Sequence, residues 1–211
     1  MTGGWLEDRF ANLPARVRLP SGYGPDRRWP LIVFLHGSGE RGVDNQSQLL
    51  HGVHHFAGLE AIVVAPQCPR EDSWGGTWFG GPTRSQAAVI ELVAMLRLRQ
   101  TVDPRRVVLV GASMGAIGGW EILAKHPGVF DAAALLCGEP DLAWEPLLRG
   151  QKIWSFHGEA DDVVPIGPAR ELHQRLPPPA RFTALPGRGH DIWDPVLGNP
   201  ELYRWLLDVV G

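Results

Sequence analysis

Cysteine is scarce: only Cys68 and Cys137 occur in 211 residues. That excludes a fold stapled by several disulfides. Both sit among apolar neighbours and are expected as buried free thiols. Long hydrophobic runs are missing, and none approaches the about 20 residues of a membrane-spanning helix. The first twenty residues, MTGGWLEDRFANLPARVRLP, contain no basic segment followed by an apolar one. No secretory leader is therefore expected, and the expected compartment is cytoplasmic. Charge of one sign is lacking too. The formal net charge is -3, and the basic residues are scattered, so neither nucleic acid nor an anionic membrane is an expected partner. No internal repeat, composition shift or long linker divides the chain, which is expected to form one domain over residues 1–211.

What is present suits one packed domain. Hydrophobic residues make up 44% of the chain, and nine are tryptophans, enough for a sizeable core. Short apolar runs alternate with segments of helical period. PLIVFLHG (Pro30–Gly37) and AIVVAP (Ala61–Pro66) are apolar without alternation, the mark of strands buried on both faces. RRVVLVG, FDAAALLCG, KIWSFHG and RFTALPG extend the series. Between them lie helix patterns at Ser85–Gln100, in AIGGWEILAKHP before Pro127, and in GPARELHQRL. PELYRWLLDVV follows as an amphipathic helix with Pro200 in its first turn. This order predicts an α/β fold, a mostly parallel sheet with helices on both faces. In such sheets ligands bind beyond the carboxyl ends of the strands.

Those ends carry the chemistry. HGSGERG follows the first buried strand, Gly111-Ala112-Ser113-Met114-Gly115 follows VVLV, HGEADDVVP follows KIWSF, and GRGHDIWD follows RFTALP. Ser113 lies between a strand and a helix with glycine two residues before and two after. That pattern relieves crowding at a sharp turn and lifts the hydroxyl clear of the sheet. The Met114 N–H, at the helix start, can donate to a developing oxyanion. In HGSG, Gly37 and Gly39 let the backbone approach a substrate, and the Ser38 N–H is the second expected donor.

A serine hydroxyl needs a base, and eight histidines are available. His190, on a late Gly-rich loop, is the expected one. His36 and His157 precede glycines at strand ends and are expected to support loops. His126 suits a helix C-terminus, and His173 falls on a predicted helix as a solvated residue. His51, His54 and His55 cluster, but Gly52 stands where a His-Glu-x-x-His metal motif has its glutamate, so no metal site is expected. Asp161 and Asp162 both qualify as the acid that orients the imidazole. No cofactor is implied.

With these motifs the sequence resembles the α/β-hydrolase superfamily, in its small, capless carboxylesterase and phospholipase-type branch. Within that branch it is similar to bacterial predicted peptidases and to feruloyl-esterase-like and polyhydroxybutyrate-depolymerase-like domains. PLIVFLHGSGERGVDN, VVAPQCP, VGASMGAIGGW, FHGEADDVVP and GHDIWD carry the likeness, from about Arg16 to Leu207. The resemblance implies Ser113 as nucleophile, His190 as base, Asp161 as acid and Ser38 as an oxyanion donor. Ala116 stands where these proteins often have glycine, and its methyl group is expected to narrow the pocket.

Only a short stretch, about Gly138 to Gly150, occupies the place of the helical lid of larger relatives. An open site follows, suited to short or medium acyl or aryl esters. Trp74, Trp78, Phe79 and Trp193 are candidates to line a substrate groove, with burial under the loop as the alternative. The expected activity is ester hydrolysis through an acyl-enzyme, with a small-molecule ester as partner and the oligomeric state open. Peptide cleavage ranks lower, because amides demand a well-protonated leaving amine. Hydrolysis of lactones, thioesters or phosphotriesters uses the same triad. A non-catalytic binding module on this fold is the alternative of another class.

Overall fold

The computed structural model describes residues 4–10, 12–99 and 101–207. Its centre is an eight-stranded sheet. In chain order the strands are β1 (Leu6–Phe10), β2 (Leu13–Arg18), β3 (Trp29–Leu35), β4 (Ile62–Pro66), β5 (Val102–Ala112), β6 (Ala132–Leu136), β7 (Ile153–Gly158) and β8 (Arg181–Leu185). Their spatial order is β1-β2-β4-β3-β5-β6-β7-β8. β1 and β2 run antiparallel to their neighbours, and β4, β3 and β5 through β8 pair in parallel. The helices are α1 (Arg84–Arg97), α2 (Met114–Lys125), α3 (Glu145–Leu148), α4 (Ile166–Arg175), α5 (Trp193–Leu197) and α6 (Pro200–Leu207). This is the α/β-hydrolase architecture.

Strand β3 shows why its sequence does not alternate. Leu31, Val33 and Leu35 enter one apolar cluster with Val89 and Leu92 of α1 and Trp120 of α2. Ile32 and Phe34 enter a second cluster on the other face, with Leu202 and Leu206 of α6. A strand between two helical layers buries both of its faces. Thr83 caps α1 by accepting the Gln86 N–H at 3.1 Å, as its hydroxyl suits. α2 stops at Lys125, two residues before Pro127, where proline disfavours helix.

Three expectations change. β1 and β2 were not legible as strands: β1 is an exposed edge with one buried residue, Phe10, and β2 carries Pro14. α1 ends at Arg97 rather than Gln100, and Gln100 itself and positions 208–210 of the last expected helix lie outside the described residues. His173 is not a solvated residue. Its Nε2 lies 2.7 Å from Ser155 Oγ, and its ring stacks on Phe182 and meets the edge of Trp120. Burial lowers its pKa to about 4. Helical spacing placed the residue on α4 but could not show that this face packs against β7 and β8.

No helix among the described residues is long and apolar enough to cross a membrane. Between β6 and β7 lie only a 3-10 turn, Leu142–Trp144, and the four-residue α3. Cys68 and Cys137 are free and buried.

Candidate active site

The turn from β5 to α2 holds Ser113 at φ 50° and ψ -113°, left-handed backbone that a side chain adopts only under constraint. The constraint is close packing. A Cβ on Gly111 would lie 2.5 Å from the Gly115 carbonyl oxygen, and one on Gly115 would lie 2.0 Å from that of Leu35. Glycine at both positions lets the turn close against β3. The Ser113 N–H donates to the Leu136 carbonyl at 2.8 Å, which ties the turn to β6 as well.

His190, on the loop after β8, reaches this turn. Its Nε2 lies 2.9 Å from Ser113 Oγ and its Nδ1 lies 2.8 Å from Asp161 Oδ2. Asp161 follows β7, and its side chain is fully buried. Burial alone would raise its pKa. The Val164 N–H, the His190 ring, the Val163 N–H and the Cys137 thiol outweigh that and hold the carboxyl below its usual range. The two N–H groups donate to Oδ1 at 2.9 Å each, leaving Oδ2 for the imidazole. Asp162 is exposed. The two neighbouring carboxylates thus have separate surroundings, and Asp161 is the one at His190.

Two further groups touch Asp161, and sequence reasoning gave neither a place there. His157 Nε2 lies 3.2 Å from Asp161 Oδ2 and 2.9 Å from the Val164 carbonyl. Both partners are acceptors, so Nε2 carries a hydrogen and donates toward both oxygens; burial pushes the ring's pKa down. Cys137, at the end of β6, has φ 49°. Its Sγ lies 3.4 Å from the His190 carbonyl, and burial pushes its pKa up. The only sequence signal for either was a position beside glycine at a strand end.

His36 supports the HGSG loop. The Cys68 N–H donates to its Nε2 at 3.0 Å, so its Nδ1–H donates to the Gly37 carbonyl at 2.6 Å. Burial lowers its pKa to about 4. Ser38 begins a 3-10 turn, Ser38–Glu40, and Met114 begins α2. Neither first-turn N–H has an acceptor within its own helix.

A cavity of about 220 Å³ opens beside Ser113 and His190. Ser38, Phe34, Gln48, His51, Trp193 and Leu197 contribute to its wall. Trp193 meets the His190 ring edge-to-face, with centroids 5.5 Å apart. Trp78 is exposed and donates from Nε1 to Glu139 Oε1 at 3.1 Å; it stands outside this cavity. Trp74 cannot line a groove. It is fully buried, and its Nε1–H donates to the His36 carbonyl at 3.0 Å. Phe79 packs against the core. Ala116 does not narrow the cavity either: it is fully buried, and a Cβ on Gly138 would lie 2.5 Å from its own Cβ. Its side chain packs on the Gly138 backbone just after β6 and is not part of the cavity wall.

Comparison with known proteins agrees with this architecture. A solved structure described as a thermostable esterase superposes with a TM-score of 0.87 at 30% identity, over 97% of this chain and 62% of that one. Poly(3-hydroxyalkanoate) depolymerase C of Paucimonas lemoignei is 27% identical over 72% of this chain and 45% of its own length. Lysophospholipase-like protein 1 of Mus musculus is 23% identical over 93% of this chain and 92% of its own. The chain thus spans under half of the depolymerase. The family described as "Putative esterase" matches residues 11–174. The chain therefore belongs to this esterase family, within the α/β-hydrolase superfamily.

Proposed function

We propose that the protein is a serine carboxylesterase acting through an acyl-enzyme. The observation that carries this is one imidazole, His190, within hydrogen-bonding distance of both Ser113 Oγ and Asp161 Oδ2. His190 Nε2 takes the hydroxyl proton as Oγ bonds to the acyl carbon. The N–H groups of Ser38 and Met114 receive the oxyanion. The tetrahedral adduct collapses, the ester C–O bond breaks, and His190 hands its proton to the departing alcohol. Water then repeats the sequence and releases the acid. Asp161 keeps the ring in the tautomer that presents Nε2 to the serine.

The acyl group is short. A cavity of about 220 Å³ is smaller than the roughly 300–1,000 Å³ of sites for drug-sized ligands. The alcohol half of the ester lies toward open solvent, since no lid stands between β6 and β7. The esterase family and the named relatives support ester rather than peptide cleavage.

The test is stoichiometric labelling by a fluorophosphonate together with p-nitrophenyl acetate and butyrate hydrolysis. Wild type should label at Ser113 and turn over both esters. Ser113→Ala should do neither, with turnover lower by on the order of 10⁶. An unreactive wild type would favour a binding module. A Ser113→Ala variant that kept most of its activity would refute the assignment.

A further inference from the structure

His54, His55 and Asp194 form a cluster that the proposed ester chemistry does not use. His54 and His55 lie on the 3-10 turn Val53–Phe56, and Asp194 is the second residue of α5. From Asp194 Oδ1, His55 Nε2 lies at 2.9 Å and His54 Nε2 at 3.5 Å. All three candidate ligand atoms lie within 4.8 Å of one another. We infer that these three side chains form a binding site for a divalent transition-metal ion of the zinc, copper or nickel class.

Consecutive residues of a 3-10 turn project about 120° apart, because the turn has 3.0 residues. Two neighbouring side chains on such a turn therefore diverge by default. Here both imidazoles bend toward a single carboxylate oxygen, and their ring centroids come to 3.9 Å. No lysine or arginine pairs with Asp194 among the described residues; its ion-pair partners there are the two histidines. Two imidazoles and one carboxylate make a donor set that suits zinc, copper or nickel and is too nitrogen-rich for magnesium or calcium. With bonds of about 2.0–2.1 Å, the ligands of a tetrahedral ion stand roughly 3.3 Å apart. The distances from Asp194 Oδ1 bracket that value and the two imidazole ligand atoms lie within 4.8 Å of each other, so side-chain rotations bring all three onto one ion. Water completes the shell, since His54 and Asp194 are exposed.

The backbone beneath the cluster is already set. Gly52, just before the turn, has φ 71°, and a Cβ there would lie 2.5 Å from Leu197 Cδ1 and 3.4 Å from Trp193 Cβ. The turn therefore seats directly on α5. The Gly52 carbonyl accepts the His55 N–H at 3.1 Å. An ion held across these elements ties the turn to the helix that carries Trp193 and Leu197 into the cavity wall. Spacing from His51 to His55 could not show this site, because its third ligand lies 139 residues beyond His55.

The experiment is zinc titration of EDTA-treated full-length protein by calorimetry, with thermal unfolding followed alongside. Wild type should bind one ion per chain and unfold at a higher temperature with zinc. His54→Ala, His55→Ala and Asp194→Asn should each weaken binding by more than about tenfold and lose the thermal shift. His54 is exposed, so its truncation keeps the test usable if the His55 variant folds poorly. With copper, the electron paramagnetic resonance spectrum should show coupling to two imidazole nitrogens, reduced to one in His54→Ala. Cys137, Asp161 and His190 are a second set of potential ligands. Asp161→Asn should keep the calorimetric site, which separates this ion from one bound at the triad and from any failure of the esterase proposal. No saturable binding by wild type, wild-type affinity in all three variants, or loss of the site in Asp161→Asn would overturn the inference.

Discussion

Gly115 passes beneath the carbonyl of Leu35 so closely that a Cβ added to it would stand 2.0 Å from that oxygen. The contact joins the first turn of α2 to the end of β3, and so holds the serine turn against the strand that leads into HGSG. Gly115→Ala should destabilise the fold by about 1–3 kcal/mol, the usual range for overpacking. It should also separate Ser113 from the Ser38 N–H. Urea unfolding with p-nitrophenyl acetate turnover measures both, and a variant of wild-type stability and rate would show that the two segments do not need this approach.

Ser113 itself is strained. At φ 50° a glycine relaxes what a serine cannot, so Ser113→Gly should raise stability by about 1 kcal/mol while removing activity. Thermal unfolding of the two proteins side by side checks this. An unchanged or lower midpoint would mean that the serine side chain contributes more than the strain takes away.

The two adjacent carboxylates should behave very differently. Asp161→Asn keeps the shape of the site but loses the charge that sets the His190 tautomer, and kcat should fall by about 10³–10⁴. Asp162→Asn alters an exposed side chain and should leave kcat within about twofold. Equal losses in the two variants would remove Asp161 from the mechanism.

Stability should fall between neutral and mildly acidic pH. His36 and His173 both have pKa values lowered by burial to about 4, against 6.5 in the unfolded chain. The unfolded state therefore binds more protons between these limits. Stability is full above about pH 6.5 and is lost as pH falls toward 4, by on the order of a few kcal/mol for the pair. Asp161, with its pKa lowered, adds a loss at still lower pH, below the usual carboxylate value. Urea midpoints from pH 7.5 to 4.5 measure the slope. His173→Gln, which keeps a partner for Ser155 Oγ, should reduce it; an unaltered slope would assign the effect to other groups.

Trp193 forms one wall of the cavity and leans on His190. Trp193→Ala should lower kcat for acetate esters and shift preference toward hexanoate or octanoate by about tenfold. Trp78→Ala, outside the cavity, should leave acyl preference alone and change KM only for bulky alcohol groups. A panel of acyl lengths and leaving groups checks both. Unchanged acyl preference in Trp193→Ala would place the acyl chain elsewhere.

The tryptophans show where sequence reasoning reaches its limit. Trp74, Trp78 and Trp193 are the same residue type on Gly-rich or polar loops, and all three were candidates for one groove. Packing made one a core residue, one an exposed ring tied to Glu139, and one a wall of the cavity. The place of Ala116 is hidden from the sequence for a related reason. The glycine pattern around Ser113 revealed the turn, but which face of α2 meets β6 depends on how the helix is rotated about its axis.

The order of strands β3 to β8 and of helices α1, α2, α4 and α6 was written locally, in short apolar runs and in helical periods, because burial of the central strands on both faces forces the first pattern and one apolar helix face the second. So was the placing of a serine, an acidic pair and a histidine at three strand ends, since a parallel sheet gathers those ends along one edge. The separate surroundings of Asp161 and Asp162, the packing of His173 against Ser155 and two aromatic rings, the pairing of the N-terminal strands and the meeting of Asp194 with His54 and His55 were decided only by tertiary structure. Each depends on the distance between residues far apart in the chain, and that distance is set by how whole elements pack, which no local pattern records.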